Sequence, residues 1–76
     1  MNNSRRKELE KAVNLLEEAQ SILEDCREEE QNYLDNMPEN LQYSEKHDMA
    51  EEAVTALEGA CESVLEAIDS VNEATA

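Results

Sequence analysis

The chain has 76 residues, of which 20 are acidic and six basic, and it contains one Gly, one Pro and neither Trp nor Phe. A chain this short forms one small domain near the lower limit of independent stability, so we expect self-association. Its net charge of −14 and the lack of any apolar run near ~20 residues argue against nucleic acid or a membrane as a direct partner, and for a basic protein surface.

The charge is unevenly distributed along the chain. Four basic residues lie in the first eleven positions, whereas residues 12–76 carry eighteen acidic side chains against two basic ones, a net of 16 negative charges. The composition is rich in Ala, Leu, Glu and Val, which favours long helices over a sheet.

The first predicted element is a helix over residues 4–36, which Ser4 can cap. Within it, residues recur at alternating spacings of three and four, the pattern of a helix that packs along one seam. We call these residues, with their counterparts in the second helix, the sequence seam. In the first helix they are Leu9, Ala12, Leu16, Ala19, Leu23, Cys26, Glu30, Tyr33 and Met37, of which Glu30 alone is polar.

A turn is predicted over residues 37–43. Pro38 lacks a backbone donor and disfavours helical geometry at Met37, so the first helix ends there. The turn mixes apolar and polar residues and has two interpretations. Either it forms a recognition tip, or Leu41 and Tyr43 cover the end of the core.

The second predicted helix spans residues 44–74. Ser44 can cap it, and Glu45 and Asp48 in its first turn complement the positive end of the helix dipole. The same spacing of three and four continues here. The seam residues are Ala50, Ala53, Leu57, Ala60, Val64, Ala67, Val71 and Ala74.

These elements predict an all-α fold, an antiparallel two-helix hairpin that forms a single domain over residues 1–76. A bend at residues 41–44 sets the register between the helices. It predicts that Leu16 faces Val71, Leu23 faces Val64, Tyr33 faces Val54, and Cys26 faces Cys61.

More apolar residues flank the seam than one hairpin covers. Full burial of each stabilises by about 1.5–3 kcal/mol, so a further interface is expected. We predict a homodimer in which two hairpins form a four-helix bundle. The alternative is a different protein that completes the bundle or holds the hairpin in a basic groove. The candidate self-association residues are Ile22, Leu34, Val54, Leu65 and Ile68.

The two cysteines and the single histidine do not match a catalytic or metal-binding motif. Cys26 and Cys61 have acidic sequence neighbours, which disfavour a reactive thiolate, and they form no CxxC pair. His47 is the only imidazole and lacks a Glu three residues before it. We therefore predict no enzymatic activity, no metal and no cofactor. Without a secretory signal, a cytoplasmic location is expected; the two thiols are either buried seam residues or a disulfide between the helices.

An acidic stripe on the second helix is the candidate partner-binding site. It consists of Glu58, Glu62, Glu66, Asp69 and Glu73, on the side away from the seam. A looser stripe on the first helix consists of Glu10, Glu17, Glu24, Glu28 and Asp35. Like charges along a helix destabilise it, so a stripe without lysine favours a nucleic-acid mimic that occupies a basic groove; the other interpretation is that the charge keeps a small protein soluble. We expect an acidic protein-interaction module or, alternatively, a mimic of DNA or RNA that inhibits a nucleic-acid-binding protein.

The turn, with the residues just before it, carries one resemblance. Residues 28–33 read EEEQNY and residues 35–44 read DNMPENLQYS, which resembles the turn of small helical-hairpin proteins of bacteria, their phages and mobile elements. The resemblance covers about half of the chain. It implies a hairpin with a proline-containing turn in a bacterial or phage-infected cell, and it brings no established activity. By analogy, a mobile-element setting favours an anti-CRISPR or antirestriction inhibitor.

Overall fold

The computed structural model describes all 76 residues, and it consists of two long helices joined by a short turn. Helix α1 spans Asn3–Asp35, a 3₁₀ turn spans Glu39–Leu41, and helix α2 spans Glu45–Thr75. The two helices pack against each other along a rod whose Cα atoms extend 59 × 14 × 14 Å. The predicted all-helical hairpin is confirmed.

Different side chains cap the two helices. The Asn2 side chain accepts a hydrogen bond from the Arg5 N–H at 2.7 Å, and Ser4 lies inside α1, so the predicted Ser4 cap is wrong. Asn2 can cap because its backbone is extended and its oxygen reaches the N–H three residues on. Ser44 caps α2 as predicted, accepting from the His47 N–H at 3.3 Å.

The turn brings α1 to an end and leaves one aromatic side chain in solvent. The Asn36 N–H and side-chain amide both donate to the Asn32 carbonyl, at 3.0 and 2.8 Å. Met37 is buried against the hairpin, Leu41 is half-buried, and Tyr43 is 96% exposed. The interpretation in which Tyr43 covers the end of the core is therefore wrong.

The contact between the helices, here called the hairpin interface, differs from the sequence seam at every second position. Its α1 residues are Leu9, Val13, Leu16, Gln20, Leu23, Arg27, Glu30 and Leu34. Its α2 residues are Ala50, Val54, Leu57, Cys61, Val64, Ile68 and Val71. Val54, Cys61 and Ile68 are buried, whereas the preceding alanines are half-buried at the edge. The larger side chains point inward because they bury more apolar area than alanine.

The register also differs from the prediction. The Arg6 guanidinium donates to the Thr75 carbonyl, and Leu9 and Val13 lie by Val71, the residue predicted to face Leu16. The chain reverses around the 3₁₀ turn, which comes earlier than the bend predicted at residues 41–44.

Two further predicted pairs are separated by the rotation of the helices about their axes. Tyr33 lies outside the hairpin interface, beside Ala53, whereas Val54 is buried within it. Cys26 is exposed, Cys61 is buried, and both thiols are free. The predicted juxtaposition of the two cysteines, and with it the disulfide alternative, is not found.

Candidate functional site

The hairpin has two opposite broad faces of different chemistry. In a pair of antiparallel helices, the residue that follows an interface residue lies on the same side of the pair, whether it belongs to α1 or to α2. The residue that precedes an interface residue lies on the opposite side. The first side is the acidic face, formed by Glu10, Glu17, Glu24, Glu28 and Asp35 of α1 and by Asp48, Glu51, Glu58, Glu62 and Asp69 of α2. All ten residues are exposed to solvent.

The second side is the apolar face. On α1 it is formed by Ala12, Leu15, Ala19, Ile22, Cys26 and Tyr33, together with the charged Glu8 and Glu29. On α2 it is formed by Lys46, Met49, Ala53, Ala56, Ala60, Ser63, Ala67, Ser70 and Ala74, of which Lys46 alone is charged. Leu15 is 66% exposed and Ile22 is 57% exposed, so this face presents large apolar side chains to solvent.

A shallow groove lies at the middle of the acidic face. Its walls carry carboxylates from both helices, and its floor includes the half-buried Arg27 and the buried Cys61. The carboxylates around it are Glu24, Asp25, Glu28, Glu58 and Glu62. Arg27 makes no ion pair within 4.0 Å, and the Lys11–Glu8 pair at 3.1 Å is the one ion pair of a lysine or arginine. The groove therefore concentrates negative charge that no direct pairing neutralises.

The structure divides the predicted acidic stripe of α2. Glu58, Glu62 and Asp69 lie on the acidic face, and Glu66 and Glu73 lie on the outer edge of α2, away from α1. The looser stripe of α1 lies on the same face as the first three. Sequence periodicity within one helix does not show that the two stripes meet, because that depends on which flanks of the helices adjoin.

The predicted self-association residues do not form one surface. Leu34, Val54 and Ile68 belong to the hairpin interface, where Val54 and Ile68 are buried. Leu65 is 45% exposed and lies on the acidic face, two turns after Glu58. Ile22 alone lies on the apolar face. The difference arises because the hairpin interface is rotated relative to the sequence seam. On α2 this rotation turns Val54 and Ile68 toward α1 and leaves Leu65 on the opposite flank, in solvent.

A small polar cluster lies in the first turns of α2. The Nδ1 atom of His47 is buried without a hydrogen-bond partner, 4.0 Å from a carboxylate oxygen of Asp48 and 4.0 Å from one of Glu51. The ligand atoms of the three residues lie within 4.8 Å of one another, a spacing that could hold a metal ion. Both carboxylates are exposed, whereas the His47 side chain is 20% exposed.

Comparisons with known proteins identify no relative. Protein-family models, curated proteins and solved structures were all searched, and none of them matches this chain. The likeness of the turn to bacterial and phage hairpin proteins therefore stays a prediction. Neither helix is apolar over a long enough stretch to cross a membrane.

Proposed function

We propose that this chain is a non-enzymatic acidic interaction module that self-associates and binds a basic protein surface through its acidic face. The observation that carries the proposal is the meeting of carboxylates from both helices on one side of the rod, with Arg27 as the one cation at its centre. A surface of this kind attracts cationic partners over a distance and orients them as they approach.

The spacing of the charges supports a second candidate function. On the acidic face, the ten carboxylates of the two helices lie along the length of α1 between residues 10 and 35. At a rise of 1.5 Å per residue this length is roughly 37 Å, or one charge per about 4 Å. A strand of duplex DNA carries one phosphate per about 3.4 Å, so the two rows together resemble one strand in linear charge density. This density favours a mimic of nucleic acid, of the anti-CRISPR or antirestriction type, as the alternative.

Two charge-reversal variants with equal net charge test the role of the acidic face. The face variant carries Glu24→Lys, Glu58→Lys and Glu62→Lys, around the groove. The outer-edge variant carries Glu18→Lys, Glu52→Lys and Glu66→Lys, on the sides of the helices away from the groove. Circular dichroism checks that both remain helical.

Each variant and the wild-type chain are immobilised and used to capture proteins from a bacterial lysate, and the dissociation constant of the captured protein is then measured. We expect the face variant to lose about 10-fold or more in affinity, and wild-type binding to weaken steeply with salt. The outer-edge variant should lose less than about 3-fold. Equal losses for both variants would show that net charge alone, and not the acidic face, governs binding.

The same captured protein separates the two candidate functions. A nucleic-acid mimic occupies the site where its target binds DNA or RNA, so it competes with a duplex for that protein. An interaction module of the more general kind binds elsewhere and leaves duplex binding unchanged. Fluorescence anisotropy of a labelled duplex, with increasing amounts of this chain, distinguishes them.

A further inference from the structure

We infer that the apolar face binds a second copy of this chain, with α1 of each copy lying on α2 of the other. This arrangement rests on the self-association in the proposed function and specifies its interface. Four observations support it: the direction of the sequence seam, the sizes of the side chains, the area of the face and the distribution of charge.

On each helix, the sequence seam points in a direction between the other helix of the same hairpin and the apolar face. Seam and hairpin interface share every second residue of α1, such as Leu16 and Leu23, but the seam continues with Ala19 where the interface continues with Gln20. Exchanging a spacing of three for four rotates the direction of the stripe by about 50° around the helix. A helix in a four-helix bundle points its core residues between its two neighbours. The seam therefore has the direction expected when a second neighbour covers the apolar face.

The sizes of the side chains select the pairing. The exposed side chains of α1 on this face include Leu15, Ile22 and Tyr33, whereas α2 presents mainly alanine and serine from Ala53 to Ala74. Large side chains pack well against a row of small ones. When α1 lies on α2 of the second copy, the large side chains of each α1 pack against the small side chains of the other copy's α2. When α1 lies on α1, large side chains face large side chains.

The area and charge of the face also suit a second copy. The whole rod extends 59 Å by 14 Å between Cα atoms, so one broad side projects roughly 800 Å², which is comparable with the share of one partner in a standard interface. Two copies, each with a net charge of −14, repel each other. Repulsion is smallest between the apolar faces, because α2 carries no acidic residue there and α1 carries only Glu8 and Glu29.

One consequence concerns the stoichiometry of partner binding. When the apolar faces meet, the two acidic faces point away from each other on opposite sides of the bundle. The dimer then binds two molecules of a basic partner, one on each side, and the two sites do not overlap.

The exposed Cys26 allows a direct test by disulfide cross-linking between two different variants. Cys26 lies on the apolar face, level with residues 58–62 of α2. The first variant, Cys61→Ser, keeps Cys26 as its single thiol. The second variant carries Cys26→Ser, Cys61→Ser and Ala60→Cys. Any disulfide that joins the two variants is intermolecular, and it forms only when the Cα atoms approach within about 7 Å.

Oxidation of the mixed variants should give a covalent heterodimer on a non-reducing gel. Two matched variants, with Ala12→Cys or Glu52→Cys in place of Ala60→Cys, should give at least about 10-fold less, since they probe α1-on-α1 pairing and the outer edge of α2. Circular dichroism confirms that every variant is helical. A stronger cross-link through Ala12→Cys, or an equal one through Glu52→Cys, would overturn the pairing.

The molar mass of the wild-type chain distinguishes failure of the pairing from failure of the proposed function. A dimeric mass with cross-linking only through Ala12→Cys contradicts the arrangement and leaves self-association intact. A mass of one chain contradicts both self-association and this inference. Binding of a basic partner by the acidic face is measured separately and is affected by neither result.

Discussion

At the scale of single residues, two serines near the starts of the helices have different roles. Ser44 accepts a hydrogen bond from the His47 N–H, and its hydroxyl donates to the Leu41 carbonyl, so it joins the turn to α2. Ser4 lies one residue inside α1, whose cap is Asn2. From the sequence, either serine can cap its helix. The backbone conformation shows that only Ser44 does so.

Replacement of these serines by alanine tests the assignment of the caps. Ser44→Ala removes the acceptor for an N–H at the start of α2, so the free energy of unfolding should fall by about 1 kcal/mol. Ser4→Ala should change it by no more than a few tenths of a kcal/mol, because alanine is a good helix former and no cap is lost. Denaturant unfolding measures both. Equal losses for the two variants would contradict this assignment.

At the scale of the helices, the rotated interface separates two aliphatic residues of α2 that lie three positions apart. Ile68 is buried against α1, and Leu65 is 45% exposed on the acidic face. Ile68→Ala should lower the free energy of unfolding by about 2–4 kcal/mol through lost burial and a residual cavity. Leu65→Ala should lower it by less than about 1 kcal/mol. The same unfolding experiment compares them, and a larger loss at Leu65 would mean that α2 is rotated the other way.

The end of α1 and the start of α2 are predictable from sequence, whereas the cap of α1 is not and the interface is predictable only in part. Pro38 and Ser44 act on their own neighbours, so the turn between them is a local property. The alternating spacing of three and four, by contrast, can be followed along each helix in two ways, as the sequence seam or as the hairpin interface. These two stripes share every second residue. Choosing between them requires the sizes of facing side chains, such as Val54 against Ala53, and these depend on the other helix. The candidate site shares this dependence, since the acidic face exists only once the register and rotation bring Glu24 near Glu58.

At the scale of the whole molecule, the two faces produce opposing effects on assembly. The apolar face leaves side chains exposed that gain free energy on burial, and the carboxylates give each chain a charge that resists a second copy. Only five residues of the single hairpin are buried, so it has little core of its own. We therefore expect folding and dimerisation to be coupled, with added salt favouring the dimer by screening the repulsion.

The central claim is that the two faces act separately, one holding two copies together while the other stays free for a basic partner. The most direct test is the molar mass of the full chain by light scattering, at about 0.01 M and about 0.15 M salt. We predict twice the 8.6 kDa chain mass, about 17 kDa for a dimer, with the dimer favoured at the higher salt. A mass near 8.6 kDa at both salt concentrations, from a chain that remains helical, would contradict it.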